Sequence, residues 1–203
     1  MKPEILAALV AFAFVSSITP GPNNLMLMAS GANFGVRRTI PHALGVGIGF
    51  TLMTLLVGLG LARIFDAFPP SYLILKIASV LYLLYLAWKI ATAAPLKDKG
   101  EARAQPKPFT FLQAAAFQWV NPKAWAMALT AVSAYAVAGN FVVSVVIVAL
   151  VFGAVNLPTV SLWVVMGVQL RQFLSDVKRL RIFNIAMAVA LVATVIPIIA
   201  QPH

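Results

Sequence analysis

Cysteine does not occur in the 203 residues, histidine occurs twice and acidic residues five times, against fifteen lysines and arginines. Without cysteine there is no disulfide, no thiolate chemistry and no thiolate metal site. With so few His, Asp and Glu, and no HExxH stretch or paired acids, hydrolytic and metal chemistry has few parts. No enzyme activity, metal or cofactor is expected. Charge is thin altogether, at 10%, while 62% of the residues are hydrophobic. That balance is too apolar for an ordinary soluble domain and makes the lipid bilayer the expected solvent. A formal net charge of +10 in a soluble protein would suggest nucleic acid. Here no basic run is interleaved with a groove-forming domain, so Lys and Arg read as markers of cytoplasmic loops and no nucleic-acid partner is expected.

What is present is a series of apolar segments. A membrane helix needs about 20 apolar residues. Six segments qualify, at about 5–35, 40–62, 71–94, 109–137, 141–170 and 182–200. The first is expected to be a span rather than a cleavable leader, because Lys2 is followed by Glu4 and the apolar run continues onward. Eleven basic residues fall on one side of this layout: Arg37, Arg38, Lys89, Lys97, Lys99, Arg103, Lys107, Arg171, Lys178, Arg179 and Arg181. The other side has Lys2, Arg63 and Lys76, which places both termini outside the cytoplasm. The polar stretch "APLKDKGEARAQPKP" supplies a cytoplasmic linker at 94–107 between halves 1–93 and 108–203 of a single domain. Three spans per half inverts the second half relative to the first. The expected fold is therefore all-α and polytopic: six transmembrane helices in two inverted three-helix halves, with the first and fourth helices broken.

The breaks are written in proline. The long first, fourth and fifth segments contain Pro20 and Pro22, Pro122, and Pro158. A proline lacks an N–H and releases the carbonyl four residues earlier. At membrane depth such backbone persists only inside protein or beside water, which argues for a polar cavity. Asn121 is a favoured N-cap and Pro122 a favoured first helical residue. Gly21-Pro22 with Asn23 and Asn24 can likewise start a half-helix running to about Ala32. Helix N-termini suit a carboxylate, Lys123 adds a full charge, and the freed carbonyls at Ile18 and Gln118 suit an ammonium. One site could hold both ends of a zwitterion. Blander readings remain beside this one. Asn-Pro can cap an ordinary helix, Pro-Gly-Pro can be a kink, and Lys123 can snorkel to the interface. Asn156 and Pro158 can simply bend the fifth helix. Gly45, Gly47 and Gly49 read as close-packing positions, His42 as an interfacial histidine, and the four tryptophans as interfacial or packing residues.

At these residues the chain resembles the lysine exporter superfamily, the LysE/RhtB amino-acid efflux proteins. The similarity covers essentially the whole chain. It rests on Thr19-Pro-Gly-Pro-Asn-Asn24, on "GANFGVRRTIPHALGVGIGF" after it, on "YLAWKIA" at 85–91 and on "QWVNPKAW" at 118–125. The resemblance implies a six-span bacterial inner-membrane exporter of amino acids or close derivatives, energised by the proton gradient. The family's Pro-Gly-Pro and Asn-Pro-Lys motifs fall on Pro20, Gly21, Pro22 and on Asn121, Pro122, Lys123. The candidate substrate-binding set is Thr19, Pro20, Gly21, Pro22, Asn23, Asn24, Gln118, Asn121, Pro122, Lys123 and Asn156. The "YLAWKIA" and "QWVNP" stretches are also similar to the cysteine/O-acetylserine exporters of the family.

The acids sharpen the substrate reading. Glu4, Asp66, Asp98, Glu101 and Asp176 all lie at expected span ends or in loops. No carboxylate is available at the midplane to pair with a cationic side chain or relay protons. That favours small neutral substrates such as cysteine, O-acetylserine or homoserine over lysine or arginine, and leaves His42, Lys123 or the substrate itself to carry protons. The alternatives are a basic amino-acid exporter and a passive small-solute channel. A channel would need a polar ring along a continuous pore, whereas the polar residues cluster at two breaks. Composition leaves homo-oligomer formation open.

Overall fold

The computed structural model describes residues 1–93, 107–174 and 176–200. Nearly all of the expected linker, with Lys97, Asp98, Lys99, Glu101 and Arg103, lies outside the described residues, as does His203. Among the described residues every regular element is helical: α1 Pro3–Ile18, α2 Pro22–Gly58, α3 Ile64–Ala67, α4 Pro70–Ala91, α5 Phe111–Phe117, α6 Pro122–Tyr135, α7 Phe141–Arg171, α8 Val177–Ala193 and α9 Ile196–Ala200. Proline is the first residue of α1, α2, α4 and α6. Its missing N–H is one that no helical carbonyl could have accepted there, and its φ is already helical. Four stretches are long and apolar enough to cross a membrane: Pro22–Gly58, Pro70–Ala91, Phe141–Arg171 and Val177–Ala200. Large apolar side chains such as Leu81, Leu112 and Ile182 are exposed on them and their neighbours, as lipid-facing residues are.

α2 contains 37 residues and would extend about 55 Å if straight. It is not straight. Gly35 has φ 77°, a backbone region that residues with a Cβ rarely enter. Ser30 Oγ lies 3.0 Å from Thr39 Oγ1, although nine residues of straight helix would separate them by about 13 Å. The chain doubles back at Gly35. The break expected between a half-helix ending near Ala32 and a span beginning at 40 is therefore a one-residue reversal, not a loop.

Contacts along the helices set their directions. Phe12 packs on Phe152 with centroids 5.8 Å apart, and Asn156 donates to Ser17 Oγ at 2.9 Å. A Cβ at Gly31 would strike the Val164 carbonyl, and one at Gly35 would lie 3.2 Å from Arg171 Nη1. So α1 and the first half of α2 run parallel to α7. The second half of α2 runs against it: Gly47 faces Leu157, Thr51 faces Gly153 and Gly58 faces Val145. α5 and α6 in turn follow that second half in parallel, with Gly45 at Phe111, Gly49 at Ala115 and Gly58 at Val132. α4 is antiparallel to α8 and α9, since Asn184 donates to the Ala93 carbonyl and Lys76 to that of Ile199. Gly45, Gly47 and Gly49 are packing positions, as their spacing suggested. In a bilayer, where apolar burial drives little, such close backbone approach is a main source of helix association.

α7 is continuous through Pro158, so of the two readings left open for the fifth segment, a break and a bend, the break does not hold. Leu157 precedes that proline and offers no cap for a new helix, and one lost hydrogen bond can be absorbed by packing. The last segment begins earlier than expected, at Val177, where Asp176 accepts from the Lys178 N–H at 2.7 Å. It is interrupted between Ala193 and Ile196. The core sits where α1, the second half of α2, α6 and α7 meet, around Leu9, Phe50, Met53, Ala128 and Phe152.

Candidate functional site

The two breaks come together. α1 ends at Ile18 and α2 starts at Pro22, with Thr19 and Gly21 in extended backbone between them. α5 passes through a short 3-10 turn, Gln118–Val120, into Asn121, and α6 starts at Pro122. Asn23 and Gln118 join the breaks by a reciprocal amide pair. Asn23 Nδ2 donates to Gln118 Oε1 at 2.8 Å and Gln118 Nε2 donates back to Asn23 Oδ1 at 3.3 Å. Gln118 is fully buried, and Nε2 also donates to the Ala114 carbonyl at 2.8 Å. Leaving either amide unpaired at this depth would cost about 1–3 kcal/mol, so the pair holds the breaks in register.

The carbonyls released at the end of α1 are taken by the protein's own side chains. Asn24 Nδ2 donates to the carbonyls of Ser17 and Thr19, both at 2.8 Å. Lys123 Nζ reaches across from α6 to Thr19 O at 2.7 Å, Thr19 Oγ1 at 2.9 Å and Pro20 O at 3.4 Å. The stem of Lys123 lies on Gly21, where a Cβ would come within 2.7 Å of its Cδ. Of the two readings open for Lys123, these contacts favour the site over the interface. Its ammonium holds the Thr19 and Pro20 carbonyls of the break, whereas the carbonyls expected to be free were those of Ile18 and Gln118, and Gln118 O accepts from the Asn121 N–H at 3.2 Å.

The two helix N-termini also differ. Asn121 Oδ1 accepts from the Lys123 N–H at 3.2 Å and so caps α6, whereas α2 has no side-chain cap. The first-turn N–H groups of α2 are thus the uncapped ones. Between the breaks lies a cavity of about 20 Å³ lined by Ser17, Gly21, Asn23, Asn24, Asn121, Lys123 and Asn156, among others. That is room for one or two waters, not for an amino acid, so the site is closed. Asn156 is buried, and its Oδ1 has no hydrogen-bond partner. Of the expected residues, Gly21, Asn23, Asn24, Asn121, Lys123 and Asn156 line the cavity. Thr19, Pro20 and Gln118 stand one hydrogen bond away, and Pro22 and Pro122 start the two helices.

Three features escaped the sequence reading. Ser17 supplies a hydroxyl to Asn156, but a lone serine in an apolar run gives no signal. Asn33 and Asn184 form a second reciprocal amide pair, at 2.9 and 3.3 Å. A lone amide in each of two apolar segments was the available clue. His42, expected at the interface, is 2% exposed.

Among the described residues, this is a multi-pass membrane protein whose polar groups gather at interrupted helices, the architecture of a translocator. The chain belongs to the LysE type translocator family, whose model matches residues 14–198. It is similar to the cysteine/O-acetylserine efflux proteins of Escherichia coli (strain K12), Escherichia coli O6:H1 (strain CFT073) and Shigella sonnei (strain Ss046). Each is 33% identical over 136 residues, 66% of this chain and 67% of the relative. No solved structure matches the chain. Family and relatives are transporters rather than enzymes, and they make this an amino-acid translocator with a small-molecule substrate.

Asn121 separates capping from substrate contact. Asn121→Asp is expected to keep the cap acceptor while placing a negative charge at the cavity. Efflux should fall while the amount of protein in the membrane holds. Asn121→Ala, which loses about 1 kcal/mol of capping, should lower both. Efflux and immunoblotted membrane level measure the two effects, and full efflux by the Asp variant would reduce Asn121 to a structural cap.

Proposed function

We propose that the protein is a bacterial inner-membrane secondary transporter that exports small neutral amino acids or derivatives, such as cysteine, O-acetylserine or homoserine, using the proton gradient. It is one domain with six spans. α1 with the first half of α2 is span one, the second half of α2 is span two, and α4 is span three. α5 with α6, α7, and α8 with α9 are spans four to six. The packing directions support an inverted repeat. Span one lies parallel to span five as span four lies parallel to span two, and spans two and five are antiparallel. The distribution of basic residues supports a cytoplasmic position for the 94–107 linker.

The observation that carries the reading is the closed polar cavity at the meeting of two broken helices. The uncapped N-terminus of α2 takes the substrate carboxylate. The substrate ammonium takes Asn156 Oδ1 and the Thr19 and Pro20 carbonyls, displacing Lys123, which is then free to face the carboxylate. Substrate binding and cavity opening are in this way the same event. A neutral side chain fits because the described acids, Glu4, Asp66 and Asp176, sit at helix ends or in the α3 connection. A lysine side chain would arrive unpaired, at a cost of at least about 2.5 kcal/mol. The name shared by the relatives, cysteine/O-acetylserine efflux protein, points the same way.

Overexpression is expected to protect cells against excess O-acetylserine, cysteine or homoserine, with little effect on canavanine. Collapsing the proton gradient should remove the protection. In loaded proteoliposomes, counterflow of labelled O-acetylserine marks a carrier and its absence a channel. Strong resistance to canavanine alone would return the assignment to basic amino acids.

A further inference from the structure

A second cavity lies farther along the first half of α2, about one to three helical turns beyond Asn23. It measures about 110 Å³ and is lined by residues of α2, the end of α4 and the segment at 107–109. At about 10–15 Å³ per water position it has about seven to eleven such positions. Cysteine and O-acetylserine have about seven and ten non-hydrogen atoms, the same range.

Its polar groups are of a particular kind. His42 lines the cavity and is 2% exposed, yet neither ring nitrogen has a hydrogen-bond partner. Phe109 packs edge-on against the ring at 5.2 Å and offers it no hydrogen bond. A buried imidazole left unpaired is costly, and such groups call for a partner. A neutral imidazole carries one donor and one acceptor, which matches a carboxylate and an ammonium on the same carbon. Lys89 and Lys107 also line this cavity, and both are exposed. Ser30 and Asn33 also line it, each already paired, with Thr39 and with Asn184; the rest of the wall is mainly apolar, from Met26, Leu86 and Phe109.

We infer that this cavity is a second substrate site, an entry site at the end of the protein that carries Arg37 and Arg38. It takes a small amino acid with an uncharged side chain before the central cavity opens. His42 meets the α-amino and carboxylate groups, Lys89 and Lys107 draw the carboxylate in, and the side chain lies on the apolar wall. A cationic side chain is disfavoured here as well, because both mouth charges are positive. The inference rests on the exporter reading above, which names the substrate, but it concerns residues that reading does not use.

The test uses Ala93→Cys, which places the chain's single thiol on the cavity lining, with Ile90→Cys as a second position. The purified full-length protein sits in phosphatidylcholine nanodiscs, where both faces meet the reagent and no anionic headgroup competes. A polar maleimide should label the thiol. O-Acetylserine should slow labelling by one plus the ratio of its concentration to Kd, about elevenfold at ten times Kd. Lysine at the same concentration should protect less. Protection should persist in a Lys123→Met background, where efflux is expected to fall by about 100-fold. It should require about fivefold or more additional O-acetylserine when Lys89→Gln and Lys107→Gln are combined, and should disappear with His42→Leu. Parallel counterflow separates the two readings. Counterflow of O-acetylserine without protection at either position would overturn the entry site and leave the exporter reading standing. With Lys123 intact, protection without counterflow would support the site and overturn that reading, and loss of both would overturn both. Protection unchanged by the His42 and lysine substitutions would also overturn the site.

Discussion

Replacing Lys123 with methionine is expected to reduce efflux by about 100-fold or more while the protein remains in the membrane. Methionine keeps an unbranched apolar stem for the surface of Gly21 but removes the ammonium. Three contacts vanish with it, to Thr19 O, Thr19 Oγ1 and Pro20 O. An unpaired carbonyl inside the bilayer costs about 1–3 kcal/mol. A loss near 3 kcal/mol in a transport step corresponds to about two orders of magnitude in rate. Asn24 still holds the Ser17 and Thr19 carbonyls and the Asn23–Gln118 pair still joins the breaks, so the fold should survive. The measurement is counterflow of labelled O-acetylserine in proteoliposomes, normalised to reconstituted protein. Efflux above half the wild-type rate would show that Lys123 is only a fastener. Loss of protein in proportion to loss of transport would assign it a structural role instead.

The second large effect is on folding. Gly31 and Gly167 lie where the first half of α2 meets α7. A Cβ at Gly31 would strike the Val164 carbonyl oxygen and approach its carbon to 3.1 Å. One at Gly167 would strike the Met28 carbonyl oxygen and approach the Ala32 nitrogen to 3.0 Å. The obstacles are backbone atoms, so no side-chain rotation relieves them, and the helices must separate. Overpacking of a few atoms typically costs about 1–3 kcal/mol, and here Leu would add four heavy atoms to a helix crossing held by close approach. Gly31→Leu and Gly167→Leu are each expected to abolish the monodisperse peak in size-exclusion chromatography. Gly139→Leu, at a glycine with no atom within 4 Å of its Cβ position, should match wild type. Monodisperse, active Gly167→Leu protein would mean that α2 and α7 are not packed this tightly.

Much of this molecule is local and was therefore legible in the chain itself. Thr19-Pro-Gly-Pro-Asn-Asn24 and Asn121-Pro122 interrupt helices through proline's missing N–H and fixed φ, and both interruptions lie within a residue or two of their sequence positions. Asn121 caps α6 because an N-cap needs only its own next residues. Apolar runs of sufficient length and the scarcity of acids marked a membrane protein with no described carboxylate outside helix ends and connections. Pro158 shows the limit of that local logic: a proline with no cap before it only removes one hydrogen bond, and packing decided that α7 continues. The reversal at Gly35 was likewise hidden, since glycines at 31, 35, 45, 47 and 49 look alike in sequence, and only one has φ 77°. The partners across space were beyond local reasoning altogether. Asn23 finds Gln118 at a separation of 95 residues and Lys123 finds Thr19 at 104. The tertiary structure alone decided that the lysine ammonium, rather than a bound one, satisfies the carbonyls in the closed state, because those carbonyls are exposed by one half of the chain and reached only from the other.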